Sequence, residues 1–259
     1  MKKIFISLST LFVLYLSIGS FLYINQRDFL YHPTPKIISH YKHIIMENED
    51  EKINIIVLNA GHKNAILYFG GNAESMAESS DYIARQFSGF TVYLMDYRGY
   101  GFSTGEASEK ALYSDALKLY DEIKGKHHSI SVGGRSLGTA IAIYVAAQRE
   151  VSKLALITPF DSIVNVAQGR YPLYPVKFLL HDQYDSLSRA KDISAKTFIV
   201  IAQNDKVIPR ERTEKLIEAF HKRGIEEALQ IDVIKNRGHG DISSDARYYK
   251  IMQDFIGEG

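Results

Sequence analysis

Three hydrophobic patterns divide the chain. The first is a single uncharged apolar run over residues 4–24, close to the roughly 20 residues that cross a bilayer as a helix. The second is a set of short apolar and β-branched runs at 43–46, 53–58, 65–69, 91–95, 129–132, 153–157, 197–201 and 229–234, each the length of a strand. The third places apolar residues at helical intervals over 74–87, 108–123, 137–148, 210–222 and 243–256. Several inner runs of the second kind are almost wholly apolar, as strands covered on both faces must be. The pattern therefore predicts an α/β domain with a mostly parallel, eight-stranded sheet flanked by helices. No internal repeat or low-complexity segment interrupts it.

The apolar run predicts an N-terminal transmembrane helix, a membrane anchor over residues 1–25 ahead of a domain over 26–259. Tyr23 with Arg27 fits the interface where such a helix leaves the membrane, and Lys2 and Lys3 favour a cytoplasmic N-terminus. That orientation gives a single-pass membrane localisation with the domain on the non-cytoplasmic side. The competing reading is a cleaved signal peptide ending near Ser17-Ile18-Gly19, but the run continues through Phe21-Leu22-Tyr23-Ile24, beyond the length of a signal h-region. Residues 26–36, with Pro33 and Pro35, read as an extended connector. Residues 159–190 break the strand-helix alternation with Pro172, Pro175 and five aromatics. A long interruption of this kind is usually functional, so the segment reads as a small lid over a pocket, with a packing buttress as the alternative.

Composition narrows the classes. With 259 residues, 46% hydrophobic content and a formal net charge of +1, the chain suits one medium-sized domain. Its lysines and arginines are spread out rather than bunched, so no nucleic-acid partner is expected. The count of 0 cysteines removes disulfides, thiolate nucleophiles and cysteine-based metal sites together.

Candidate chemistry gathers at the ends of the strand-like runs. Gly134-Arg135-Ser136-Leu137-Gly138 lies between the run at 129–132 and the helical segment at 137–148, the strand-to-helix context of a nucleophile elbow. A dinucleotide fingerprint is excluded, because Arg135 stands where its second glycine is required. A serine hydroxyl needs a base to take its proton, and His239, in Gly238-His239-Gly240-Asp241 after the last strand, is placed to do so. An imidazole in that role needs a carboxylate to fix its tautomer. Asp205, directly after the run at 197–201, fits best, with Asp182 and Asp185 as fallbacks and Asp241 less favoured. For a developing oxyanion the elbow offers the backbone N–H of Leu137. Gly70-Gly71-Asn72-Ala73 offers a second, from Asn72 rather than Ala73. The chemistry calls for no metal and no organic cofactor.

These motifs, together with the loop Asp96-Tyr97-Arg98-Gly99-Tyr100-Gly101-Phe102-Ser103-Thr104-Gly105 and Asn204-Asp205-Lys206-Val207-Ile208-Pro209, resemble the α/β-hydrolase superfamily. The resemblance is to its small-cap, N-terminally anchored branch of serine-aminopeptidase-like, acylglycerol-lipase-like and ABHD-type enzymes. It runs from about Gln26 to the C-terminus. It implies the α/β-hydrolase fold, with Ser136 as nucleophile, Asp205 and His239 as its partners, and Asn72 with Leu137 around the oxyanion. Gly70 stands where the family usually has His, and Lys196-Thr197 where a Pro often opens the strand. The expected activity is that of a membrane-anchored serine hydrolase cleaving ester, thioester or amide bonds of small-molecule, lipid-like or acylated substrates. The alternatives are an aminopeptidase-like enzyme, with Asp161, Asp182 or Asp185 holding the substrate amine, and a catalytically silent anchored scaffold. The loop at 96–105 is expected to be architecture, with Asp96 and Arg98 paired.

Overall fold

The computed structural model describes residues 2–222 and 228–257, with side chains from Leu8 onward. Eight strands form one sheet: β1 (Lys42–Asn48), β2 (Glu51–Leu58), β3 (Asn64–Phe69), β4 (Thr91–Met95), β5 (Ser129–Arg135), β6 (Lys153–Ile157), β7 (Lys196–Ala202) and β8 (Leu229–Ile234). They lie in the order β1-β2-β4-β3-β5-β6-β7-β8. β2 runs antiparallel to both β1 and β4, and every other pairing is parallel. All eight runs read from the hydrophobic pattern are strands.

Ten helices accompany them among the described residues: α1 (Lys2–Ile24), α2 (Gln26–Leu30), α3 (Met76–Gln86), α4 (Glu109–Ile123), α5 (Leu137–Gln148), α6 (Ile163–Arg170), α7 (Val176–Leu179), α8 (Ser186–Arg189), α9 (Arg210–His221) and α10 (Arg247–Gly257). Side chains alternate across a strand, so β3 sends Ala65, Leu67 and Phe69 to one core and Ile66 and Tyr68 to the other. The first core takes its cover from α4, α5 and α9, the second from α3 and α10. α5 is apolar nearly all round because it is buried nearly all round, with nine of its residues inaccessible. Crossover helices thus cover both sheet faces, which leaves the carboxyl ends of the parallel strands open for a site.

The N-terminus differs from expectation. Among the described residues no helix is long and apolar enough to cross a membrane, which overturns the expected transmembrane helix, single-pass anchor and membrane localisation. The physical reason lies in what the helix touches. Ser9, Thr10, Tyr15, Ser17, Ser20 and Tyr23 interrupt the run, and the helix is docked on the segment after α6. There the Tyr15 ring stacks on Tyr174 at 4.6 Å and Tyr15 Oη donates to the Leu173 carbonyl at 2.9 Å. The reading of membrane side from Lys2 and Lys3 lies outside the residues whose side chains are described. Helical structure also extends into the expected connector. Asn25 N–H donates to Phe21 O and Phe29 N–H to Asn25 O, so the ladder nearly runs on into α2, and the chain becomes extended only ahead of Pro33 and Pro35. The segment at 159–190 holds the short helices α6, α7 and α8.

Candidate active site

Ser136 occupies the turn between β5 and α5 with φ +50° and ψ −118°, a left-handed conformation rare for a side chain with a Cβ. Two backbone contacts hold it: its N–H donates to Ile157 O at 2.9 Å, and its carbonyl accepts from the Thr139 hydroxyl at 2.6 Å. The flanking glycines are required by space. A Cβ on Gly134 would lie 2.2 Å from Gly138 O, and one on Gly138 only 2.1 Å from Phe69 O. Backbone strain at such a site persists only where packing over-determines it.

His239 follows β8 and reaches the same rim. Its Nε2 lies 2.8 Å from Ser136 Oγ and its Nδ1 lies 2.8 Å from Asp205 Oδ2. Asp205 follows β7, and its other oxygen accepts from the backbone N–H groups of Val207 at 2.9 Å and Ile208 at 2.8 Å. The carboxylate is therefore fixed by the turn that carries it. Asn204 N–H donates to Arg237 O at 2.8 Å and ties the two loops together. The imidazole and carboxylate are largely shielded, 14% and 7% exposed, so their interaction escapes most of the screening felt at a surface.

The other acids weighed from the sequence are occupied elsewhere. Asp182 accepts from Arg27 Nε at 3.0 Å and from Glu109 N–H at 3.0 Å. Asp185 caps α8 by accepting from Ser188 N–H, and Asp241 accepts from Gly238 N–H. Asp161 pairs with Arg212 and Asn165.

Asn72 and Leu137 line one cavity with Ser136. The loop that carries Asn72 is braced by groups the sequence left without a task. Tyr97 Oη donates to Gly70 O at 2.6 Å, and Tyr100 Oη donates to Asn72 O at 2.8 Å. His32 N–H also points at Asn72 O, at 3.2 Å, and Asn72 Nδ2 donates to Leu30 O at 2.9 Å. Tyr97 and Tyr100 sit in the loop read only as architecture, and the signal was two tyrosines in a glycine-rich turn after a strand. Within that loop Asp96 and Arg98 are not paired. Arg98 makes a two-pronged contact with Asp115 at 2.9 and 2.8 Å, while Asp96 accepts from Asn54 Nδ2. Burial raises the Asp96 pKa above the usual carboxylate value, against the opposing pull of its hydrogen bonds to Asn54 and Phe102.

Arg135 is a third residue whose part was not foreseen. Its guanidinium donates to His239 O at 3.1 Å and faces Glu74 Oε2 at 3.7 Å, while the same Glu74 oxygen accepts from Gly71 N–H at 2.9 Å. Burial opposes the Arg135 charge, but Glu74 and the surrounding tyrosines outweigh it and hold its pKa above the usual value.

The cavity over Ser136 measures about 490 Å³, inside the range of small-molecule sites. Its walls are mostly apolar, with Phe160, Val166 and Leu179 from the segment after β6 and Leu22, Phe29 and Leu30 from α1 and α2. Among the described residues no group of three or more His, Asp or Glu side chains is arranged to hold a metal ion.

Comparison with known proteins agrees with the fold. A sequence model of the alpha/beta hydrolase fold matches residues 64–187. An uncharacterized protein of Mycobacterium tuberculosis is 32% identical over 186 residues, which cover 70% of this chain and 64% of that protein. The chain thus spans just under two thirds of the length of that relative. Alpha/beta hydrolase domain-containing protein 17B of Xenopus laevis is 26% identical over 206 residues, 76% of this chain and 67% of that one. An esterase of Pyrococcus furiosus superposes with a TM-score of 0.68 at 18% identity, covering 88% of this chain and 97% of the other. At that identity the superposition speaks to the fold alone.

Proposed function

The chain belongs to the α/β-hydrolase superfamily, and on that premise we propose that it is a serine hydrolase working through an acyl-enzyme on esters or thioesters of lipid-like or acylated molecules. The observation that carries this reading is a single imidazole within 2.8 Å of both a serine hydroxyl and a carboxylate. In the first step His239 Nε2 takes the Ser136 proton as Oγ bonds to the substrate carbonyl carbon. Asp205 holds the proton on Nδ1 and stabilises the imidazolium. The carbonyl oxygen, now negative, accepts from the N–H groups of Leu137 and Asn72, each such donor being worth about 3 kcal/mol in other hydrolases. Collapse of the adduct breaks the bond to the leaving group, which departs with the proton from Nε2. Water then enters, gives a proton to His239 and attacks the acyl carbon, which frees the acid and restores Ser136.

The apolar walls of the cavity favour an apolar acyl group over a charged one. An aminopeptidase-like reaction would need a free acid for the substrate amine, and Asp161, Asp182 and Asp185 already hold other partners.

A fluorophosphonate probe tests the proposal, since it reacts only with an activated serine. The wild-type protein is expected to be labelled at Ser136, with labelling lost in Ser136→Ala. A folded wild-type protein that resists the probe supports the silent-scaffold reading instead. Hydrolysis of p-nitrophenyl esters, set beside aminoacyl amides, separates the esterase from the peptidase.

A further inference from the structure

One wall of the cavity is built by the N-terminal helix, and that wall has a measurable length. Leu30, at the end of α2, accepts from Asn72 Nδ2 at 2.9 Å, so this end of the helix sits against the loop beside Ser136. Gly19, on α1, lines the same cavity eleven positions earlier. Because the hydrogen-bond ladder nearly continues through Asn25, the two positions are separated by roughly 16 Å at the helical rise per residue. Leu22 and Phe29 lie between them in sequence and line the same cavity as Val166 and Ala167 of α6.

At Gly19 the cavity wall meets the ring of Tyr174, which also lines the cavity. A Cβ at this position would lie 2.8 Å from Tyr174 Cε1, so only glycine lets the helix approach so closely. Tyr174 is itself held in place. Its ring stacks on Tyr15 at an interplanar angle of 8°, and its hydroxyl donates to Tyr15 O at 3.0 Å. Farther along, Gln26 Oε1 accepts from His181 N–H at 2.7 Å and Arg27 Nε donates to Asp182 at 3.0 Å. The helix is thus pinned to the segment after α6 at both ends of the cavity.

We propose that this helix is the long wall of a linear acyl-chain site and that the Gly19 and Tyr174 contact is its stop. The proposal rests on the serine-hydrolase reading for the position of the reacting carbonyl. An extended hydrocarbon chain advances about 1.25 Å per carbon, given C–C bonds of ~1.52 Å at near-tetrahedral angles. A chain spanning these roughly 16 Å alongside the helix therefore has about 12 to 13 carbons, and longer chains gain no further contact.

The test is a series of straight-chain p-nitrophenyl esters from butanoyl to hexadecanoyl, with fluorophosphonate labelling run in parallel. In the wild-type protein kcat/KM is expected to rise by up to about fourfold per added methylene and to stop rising near 12 carbons. Leu22→Trp, which fills the cavity before the stop, should move the break to shorter chains and lower the ratio of dodecanoyl to butanoyl kcat/KM at least tenfold. Tyr174→Ala, which removes the stop, should move the break to longer chains. Opposite shifts cannot come from a general loss of folding. A break at the same length in all three proteins, or no dependence on chain length, overturns the proposal even where Ser136 is labelled. If Ser136 is not labelled, the serine-hydrolase reading fails separately, and calorimetry with dodecanol and butanol still reads the pocket. Wild-type protein should then bind dodecanol more tightly than butanol, with the preference reduced at least tenfold in Leu22→Trp. Equal preference in the two proteins overturns it.

Discussion

Asp205 divides its two oxygens between two tasks. Oδ1 accepts the N–H groups of Val207 and Ile208 and so shapes the turn, while Oδ2 faces His239. Asp205→Asn separates them. The amide oxygen can keep the turn, but the amide nitrogen then donates toward the imidazole and favours the wrong tautomer. The expected result is a fall in ester kcat of roughly 10⁴-fold, by analogy with triads of the same geometry, while the melting temperature stays close to wild type. A comparable fall in stability would mean that the turn, rather than the tautomer, had been lost. That Ser136, Asp205 and His239 would meet was legible in the sequence because each lies in the turn or loop at the carboxyl end of a strand. Choosing among Asp205, Asp182 and Asp185 was harder, since a sequence does not say which acids are already engaged. Arg135 was illegible for a related reason: its partners lie on loops near positions 74 and 239, brought to it only by the order of the strands.

Arg135 matters at the level of elements because it joins three loops. It extends from the elbow, donates to the backbone beside the imidazole, and faces the carboxylate that holds Gly71 N–H. Removing it should loosen the relative placement of base and oxyanion loop, and a misplacement of about 1 Å can cost about 10²-fold in rate. Arg135→Ala is therefore expected to lower kcat by one to two orders of magnitude with a much smaller change in KM, and Arg135→Lys to restore part of it. If KM rises instead while kcat holds, the residue serves substrate binding rather than positioning. Arg98 has a different, structural part. It connects the loop after β4 to Asp115 on α4, and both side chains are nearly inaccessible. Breaking such a pair strands a buried charge, so Arg98→Ala should destabilise the fold by about 3–5 kcal/mol in urea unfolding. The sequence suggested Asp96 as its partner because it is two residues away. Asp96 and Arg98 stand where β4 gives way to a turn, so the shared face that residues two apart have on an extended chain is lost, and Asp115 arrives only through packing of the helix.

Across the whole molecule, the hydrophobic pattern was legible as eight strands between two layers of helices, but not as a set of directions. The β1 and β2 hairpin turns at Glu49 and Asp50, both at positive φ, and that turn sets β2 against the parallel remainder. The N-terminal run was misread because apolar character alone does not distinguish a lipid-facing helix from one that faces a cavity and a neighbouring segment. Here Leu22 of that run lines the space over Ser136, and Tyr15 and Tyr23 tie the helix to Leu173, Tyr174 and His181. Asp182 is the joint between these parts, since it accepts from Arg27 on α2 and from the first N–H of α4. Asp182→Asn keeps an oxygen for Glu109 N–H and loses only the ion pair with Arg27, which is 47% exposed. A half-exposed pair contributes at most about 1 kcal/mol, equivalent to a melting shift of about 2–4 °C for a domain of this size. Asp182→Ala removes the acceptor of Glu109 N–H as well, with Ser108 still capping α4, and should shift the transition further, by about another kcal/mol. In both variants amide exchange should quicken over residues 19–32 and 171–184 before it changes in the central strands, because few buried contacts hold those segments once the joint is cut. Exchange that quickens uniformly across the sheet would mean that the N-terminal helix and the sheet open as one unit and that Asp182 is not the joint.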